Sequence, residues 1–448
     1  MTVAQLRERL VSRGNGGRFD LFFNAGLVLA VVGAGLFVYS GLSGHGDRAW
    51  HLFHVNWLFF TGIWGGSLAF TAAHKLANAK WSGVIIRFAE ANVLFGVVSL
   101  IGLLLIFTVG YQPIYGHLQE QLHSLPHGKA LWLSRPFMFG RLFLGLAGLA
   151  WLGWRMVRAD LVPDMHLAKH AVDQDRRARY ETMTADFDGS ESARMTQHRR
   201  INRLAGVFIP LYALVFTLVA FDGIMALQPH WFSNLLGGWY FMGSFLGGHT
   251  CLALMALYSR RHLGIADLVS PKQRHDLGKL IFGFTVFWTY LMWSQFLVIW
   301  YGNMHEETGF VFARLWGPWR AIGRAVFIGM FLVPFWGLLF VAAKKTAITL
   351  GLFAVVSFTS LWLERYLLVL PSVTAEHGPM FGLPEVGPTL GVFGLFLLCY
   401  AIFARRYPMI SPRLAEITLA IERHHGHGGE FEHEEKESDY AHPKELPA

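Results

Sequence analysis

Long uninterrupted runs of apolar residues constrain this chain more than any other feature. A bilayer crossing needs about 20 mostly apolar residues. Ten runs answer to that length, at roughly 19–42, 50–74, 82–109, 137–157, 204–227, 233–258, 278–301, 322–343, 347–370 and 389–404. None shows the ten-residue alternation of a membrane barrel strand. Because lipid leaves every backbone polar group to be satisfied within the chain, such runs fold as helices. The expected fold class is therefore an all-α polytopic membrane protein with about ten transmembrane helices.

Composition supports the same reading. Only 15% of residues are charged and 53% are hydrophobic, with mean hydropathy +0.38, whereas a soluble domain carries about 25% charged residues. The 38 Phe and 16 Trp suit lipid-facing and interfacial positions, and the 48 Gly permit close helix contacts. The net charge of +8 does not point to nucleic acid, because the basic residues lie in the gaps between apolar runs and are explained by membrane orientation. Both cysteines, Cys251 and Cys399, fall inside apolar runs, without CxxC or CxxCH. An iron–sulfur cluster or a c-type haem held by this chain's cysteines is excluded. The first run is too long for a signal-peptide core and ends without an A-x-A site, so no cleaved leader is expected.

Every second gap is rich in Lys and Arg. The enriched set comprises Arg7, Arg9, Arg13 and Arg18; Lys75, Lys80 and Arg87; the stretch from Arg155 to Arg203; Arg260, Arg261, Lys272, Arg274 and Lys279; Lys344 and Lys345; and Arg405 and Arg406. The gap after 227 and the gap 371–388 hold no Lys or Arg, and the first gap holds only Arg48. This alternation predicts an even number of spans with both termini cytoplasmic. Residues 158–203 read as a cytoplasmic polar segment containing a helix. The tail beyond about 421 reads as disordered, and its His424, His425 and His427 as part of a solvated end rather than a metal site.

Charged and polar groups inside a bilayer are costly and ask for a reason. With the N-terminus inside, the outer half collects His54, Asn56, Asp222, Gln295, Tyr301, Glu364 and Arg365, while Glu90 and His249 lie inward or near the midplane. Glu364 and Arg365 suit either a structural ion pair or substrate and proton handling. Asp222 needs a donor from across the bundle. His249 has no second mid-span histidine opposite it for haem, which leaves a hydrogen-bonded core histidine or a relay. In the seventh run Tyr290, Ser294 and Tyr301 follow one helical face with Gln295 beside it, and Asn303, His305, Glu306 and Glu307 come just beyond. An aromatic slot with a few hydrogen-bonding groups suits a quinone ring, and plain aromatic-belt packing would use the same residues.

Three segments resemble a known family: WSQFLVIWYGNMHEET at 293–308, HLFHVNWLFFTGIWGG at 51–66 and LWLERYLLVLPS at 361–372. They look like the NrfD/PsrC-like membrane subunits that interact with quinol, closest to the longer ones of alternative complex III and, of its two such subunits, to the second, ActF-type one. The resemblance spans most of 19–404. It implies two four-helix bundles plus an extra helix pair, laid out here as 19–157, 204–343 and 347–404, flanked by a cytoplasmic N-terminus (1–18) and a cytoplasmic tail (405–448). It implies a bacterial inner-membrane subunit of a quinol:electron-acceptor oxidoreductase, with menaquinol or ubiquinol as substrate and no metal or covalently bound cofactor of its own. Haem and Fe–S centres would sit on partners: an iron–sulfur subunit and c-type cytochrome subunits, alongside an NrfD-like paralogue, small membrane subunits, lipids and a terminal oxidase. The resemblance places the quinol site near the periplasmic face with His54, Asp222, Gln295 and Tyr301, and leaves Glu90, His249, Glu364 and Arg365 for a proton path. The alternatives are a non-catalytic scaffold for the quinol-oxidising paralogue and, with less support, a secondary transporter. The last is disfavoured because no corresponding pair of short, Pro/Gly-broken spans occurs.

Overall fold

A computed structural model of the protein describes residues 3–16, 19–374 and 378–426. His427 and the tail beyond it, with Arg18, lie outside the described residues. Ten long helices make up the body: α1 (Asp20–Leu42), α2 (Gly46–Leu76), α3 (Ile86–Thr108), α4 (Arg135–Ala168), α5 (Glu191–Gly223), α6 (Leu235–His262), α7 (Pro271–Gly302), α8 (Gly317–Leu339), α9 (Ala347–Val373) and α10 (Leu383–Arg406). Among the described residues, nine helices are long and apolar enough to cross a membrane. The remaining long helix, α2, is 31 residues but more polar. Its residues from His54 to Ala72 are buried without a break, so protein rather than lipid covers it on all sides.

The helices group one step out of phase with the expected layout. α2, α3, α4 and α5 pack in a ring, each against the next and α5 back onto α2. α6, α7, α8 and α9 form a second ring in the same way, and α2 packs against α6 where the rings meet. The extra pair is not 347–404 but the first and last long helices, α1 and α10, which make the most extensive helix–helix contact in the chain. The cause lies in small residues. A Cβ at Gly33 would come within 2.2 Å of the Gly391 nitrogen, and one at Gly26 within 2.8 Å of the Gly394 carbonyl oxygen. The two backbones therefore touch, antiparallel, in the manner of small-residue membrane interfaces. α1 buries only Gly26, Gly33 and Ser40, so it has little else to hold it.

The segment 158–203 is also less separate than expected. α4 continues to Ala168 and α5 starts at Glu191, leaving a short connection with one helix, Gln174–Met183. At 34 residues α4 is roughly 50 Å long, several turns more than a bilayer core requires. Ser190 caps α5 by accepting from the Ala193 amide.

Both described ends lie on one face. The helix Val3–Gly16 meets the helix Pro412–Gly426 through Arg7–Glu416 (2.7 Å) and the Met409 amide donating to the Gly14 carbonyl (2.9 Å). The latter helix runs past 421, where disorder was expected. Arg9 pairs with Asp267 (2.7 Å) in the loop between α6 and α7, and the Arg9 guanidinium holds that carboxyl below its ordinary range. This terminal face is one end of the molecule; the far face carries the turns α1–α2, α5–α6 and α9–α10.

Candidate functional site

At the terminal face the first ring encloses a network of ions. Arg87, fully buried, donates to Glu90 (2.6 Å) and Asp164 and lies 3.1 Å from Asp160. Asp160 also takes Lys75 (2.8 Å) and Arg413 (3.1 Å), the latter from the helix Pro412–Gly426. Three carboxylates face three cations. Glu90, expected in a proton path, is thus one member of a compensated cluster. Lys75 and Arg87 had been counted only as orientation charges, and Asp160 and Asp164 only as part of a polar segment.

Towards the far face the same ring holds His54 and Asp222. The His54 Nε2 donates to the Gly223 carbonyl (2.7 Å), and Tyr115 donates to the Asp222 carbonyl (3.0 Å). The Asp222 carboxylate accepts two bonds from Arg141, one of 2.8 Å, and that guanidinium lies 4.0 Å over the Trp132 ring. The donor that Asp222 needed from across the bundle is Arg141 of α4. Between the two groups, Thr61 and Ser99 share a hydrogen bond (2.7 Å) and Asn92 donates to Ser67 (2.9 Å), so polar side chains recur along the α2–α3 contact. His54 and Asp222 are fully buried, and the His54 Nδ1 has no partner among the described residues.

The cleft suited to a ring lies elsewhere, in the second ring near the far face. It has a volume of about 310 Å³ and is enclosed by α7, α8, α9 and the short helix His305–Leu315. The reason α7 ends there is local: Asn303 takes a left-handed conformation (φ 45°), closes the last turn by donating to Ile299, and turns the chain into that short helix. α8 carries a π-helical stretch at Ile328–Leu332, directly after the cleft residues Val326 and Phe327.

Gln295, Glu364, Trp239, Trp288 and Arg314 supply the polar atoms of the lining. Glu364 accepts from Arg365 through Oε2 (2.6 Å), and the Trp288 indole lies against the same carboxylate. Among the described residues the Gln295 Oε1 and the Trp239 indole N–H have no partner, and both are buried. Arg365 is held from behind, donating to Tyr240 O (3.3 Å) and Ser244 (3.4 Å) and lying over the Tyr240 ring. Among the described residues Arg314 pairs with no carboxylate; it donates to the carbonyls of Phe310 and Leu368 and to Ser372. Acceptors and donors with spare capacity therefore line an otherwise apolar slot.

The expected four-residue site does not assemble. His54 and Asp222 share the first ring, Gln295 lies in the cleft of the second, and Tyr301 is 87% exposed. Tyr290 is exposed too, so the face of α7 bearing both tyrosines points outward and Gln295 sits on the inner face with Trp288 and Ile299. Of the residues assigned to a proton path, Glu364 joins Gln295 in the cleft and Arg365 braces it. Asn56 has a connecting role, accepting from Trp362 (2.9 Å) and donating to Thr389 (2.9 Å), which ties α2 to α9 and α10. His249 is buried in α6, its Nδ1 donating to Phe245 O (2.7 Å).

No family model matches the chain, and no curated protein matches its sequence. The fold defines an all-α, multi-span membrane protein. Among the described residues there is no grouping of three or more His, Cys, Asp or Glu that could hold a metal ion.

Proposed function

We propose that this protein is the membrane-embedded quinol-binding subunit of a bacterial respiratory quinol:electron-acceptor oxidoreductase of the NrfD/PsrC-like kind, and that the Gln295–Glu364 cleft receives the quinol head group. The observation that carries this reading is the set of unspent hydrogen-bonding atoms in one apolar, aromatic-walled slot. A hydroquinone presents two hydroxyls on a flat ring with an apolar tail. The Glu364 carboxylate and the Gln295 oxygen accept from those hydroxyls, the Trp239 indole N–H donates to an oxygen of the product quinone, and the aromatic walls hold the ring. Oxidation releases two protons and two electrons per quinol. The Glu364 carboxylate takes one proton and passes it on, the second leaves to water on the side where the cleft opens, and Arg365 and Arg314 offset negative charge in the slot. The electrons leave to an iron–sulfur partner and on to c-type cytochromes.

In this reading the terminal face is cytoplasmic, as the basic gaps require, and the cleft opens towards the periplasmic side. A paralogous NrfD-like subunit, small membrane subunits, lipids and a terminal oxidase complete the assembly. The polar side chains along the α2–α3 contact, from the Glu90 cluster to His54, are the route for any proton exchange across the membrane.

The second reading is a non-catalytic scaffold for the paralogue. It is favoured by one observation: Trp300, Tyr301 and Trp316, at the far end of α7 and in the segment that follows it, are large exposed aromatics suited to a protein neighbour. One experiment separates the two. In the purified complex, Gln295→Leu and Trp239→Phe should each lower quinol:acceptor turnover about tenfold with assembly intact, equivalent to ~1.4 kcal/mol of lost stabilisation. Unchanged turnover in both variants selects the scaffold.

A further inference from the structure

A second cleft lies at the opposite end of α7, and its chemistry is similar. It occupies about 440 Å³ between the end of α2, the middle of α6 and the first turns of α7. His249, His74, Phe245, Phe284 and Trp81 line it, with Ala73, Ala77 and Ala79 leaving room along one side. Asp276 and Lys279 stand at its mouth on the terminal face, already paired with each other at 2.6 Å.

The histidines fix what the groove can recognise. The His249 Nδ1 lies 2.7 Å from the Phe245 carbonyl oxygen, four residues back on α6. A carbonyl only accepts, so Nδ1 carries the proton, and the neutral ring presents Nε2 as a bare acceptor. That Nε2 is buried and has no partner among the described residues. His74 is tied down in the same way, its Nδ1 3.0 Å from Phe70 O. Phenyl rings surround His249: Phe245 at 4.6 Å, Phe70 at 4.8 Å and Phe284 at 5.1 Å between centroids. An unpaired buried acceptor among phenyl rings calls for a hydrogen-bond donor on a flat apolar body. An anionic head group fits poorly, because the cation at the mouth is neutralised by Asp276.

We propose that this groove is a second, terminal-side binding site for a hydroxylated aromatic ring bearing an apolar tail, of the hydroquinone class, whose hydroxyl donates to the His249 Nε2 while Phe245 and Phe284 flank the ring. The proposal stands apart from the reading of the Gln295–Glu364 cleft: the two sites share α7 but no lining residue. If both are occupied, one chain binds the same class of ligand at the two membrane faces.

The test is photolabelling of the intact complex in lipid nanodiscs with a reduced azidobenzoquinol carrying a decyl tail, followed by peptide mapping. The proposal expects adducts between Phe245 and Phe284, suppressed by excess unlabelled decylquinol. His249→Phe keeps an aromatic ring but removes the acceptor, and should cut labelling of the groove about tenfold. His249→Gln, which restores an acceptor, should recover most of it. Labelling between Trp288 and Phe296 serves as the internal control for folding and reports separately on the first cleft. Three results would overturn the proposal: no adduct in the groove while the control region is labelled, adducts that excess quinol does not suppress, or full labelling in His249→Phe. Loss of labelling at Trp288–Phe296 alone would overturn the reading of the first cleft and leave this one standing.

Discussion

The two four-helix rings differ in how their buried charges are paired. In the α2–α5 ring, Arg87, Lys75 and Arg413 meet Glu90, Asp160 and Asp164, and Arg141 meets Asp222, so the charges are taken up by one another. In the α6–α9 ring, Glu364 pairs with Arg365 beside a cleft, and among the described residues Arg314 has only carbonyls and a hydroxyl as partners. A compensated network stiffens a bundle; an uncompensated polar atom beside a cavity is available to a ligand. The difference separates residues that hold the protein together from residues that can recognise something, even though both kinds look equally anomalous in a membrane sequence.

The largest effect should come from breaking compensation in the first ring. Arg87→Met leaves Glu90 and Asp164 without their closest cation in a fully buried site, a change that typically costs about 3–5 kcal/mol. The folded yield in detergent should collapse, as measured by size-exclusion chromatography. A normal yield would mean that the network is not structural and would erase the contrast between the rings. By comparison, Gln295→Leu removes a neutral amide whose oxygen has no partner among the described residues, and should leave the yield near wild type while turnover of the complex falls about tenfold.

Replacing the Arg141–Asp222 pair by apolar residues sharpens the same contrast. The double variant Arg141→Met with Asp222→Leu removes both charges together, and such swaps are often neutral or stabilising. Thermal stability should stay within about 1 kcal/mol of wild type and quinol turnover within about twofold, whereas Asp222→Leu alone strands Arg141 and should destabilise by roughly 3 kcal/mol. A tenfold loss of turnover in the double variant would return Asp222 to the catalytic site.

The existence and placement of the membrane helices were legible in the sequence because twenty-residue apolar runs have few other solutions in water or lipid. Their grouping was not, since hydropathy says nothing about which helix a span meets. The signal was the glycine spacing: Gly26 and Gly33 in the first run, and Gly387, Gly391 and Gly394 in the last, mark two backbones able to touch. Partners of intramembrane acids could also have been sought among cations inside the runs. Arg141 sits within the fourth run, where orientation counting had no use for it. On α7, a period of 3.6 groups Tyr290 with Tyr301 correctly but cannot tell the lipid face from the core face; tyrosine is tolerated at the membrane boundary, whereas an amide such as Gln295 is costly there and turns inward.

That glycine interface gives a prediction of intermediate size. Gly33→Leu forces apart two backbones that touch, and overpacking of this kind costs about 1–3 kcal/mol. Because α1 packs mainly on α10 and lies outside both rings, the loss should appear as faster hydrogen exchange in α1 and α10 with the two clefts unaffected. Exchange that rises throughout the α2–α5 ring would show that the pair supports the bundles rather than decorating them.

The smallest effect tests ion pairing where water can reach it. Arg9–Asp267 fastens the helix Val3–Gly16 to the α6–α7 loop, with the Asp267 side chain 57% exposed. Its carboxyl titrates below the ordinary value because the Arg9 guanidinium hydrogen-bonds to it. A depressed carboxyl contributes its stabilisation above the unfolded pKa, about 3.9, and loses it as pH falls through the lower folded value. Protection of residues 3–16 against hydrogen exchange should therefore hold from pH 7 down to about 4 and weaken only below that, by an amount typical of exposed pairs, at most about 1 kcal/mol. Asp267→Asn should remove this step in the pH profile while leaving the buried network at Arg87 and both clefts as they are. A step that persists in the variant would assign the titration to another contact of this helix, and would mean that the exposed pair contributes nothing measurable beside the buried ones.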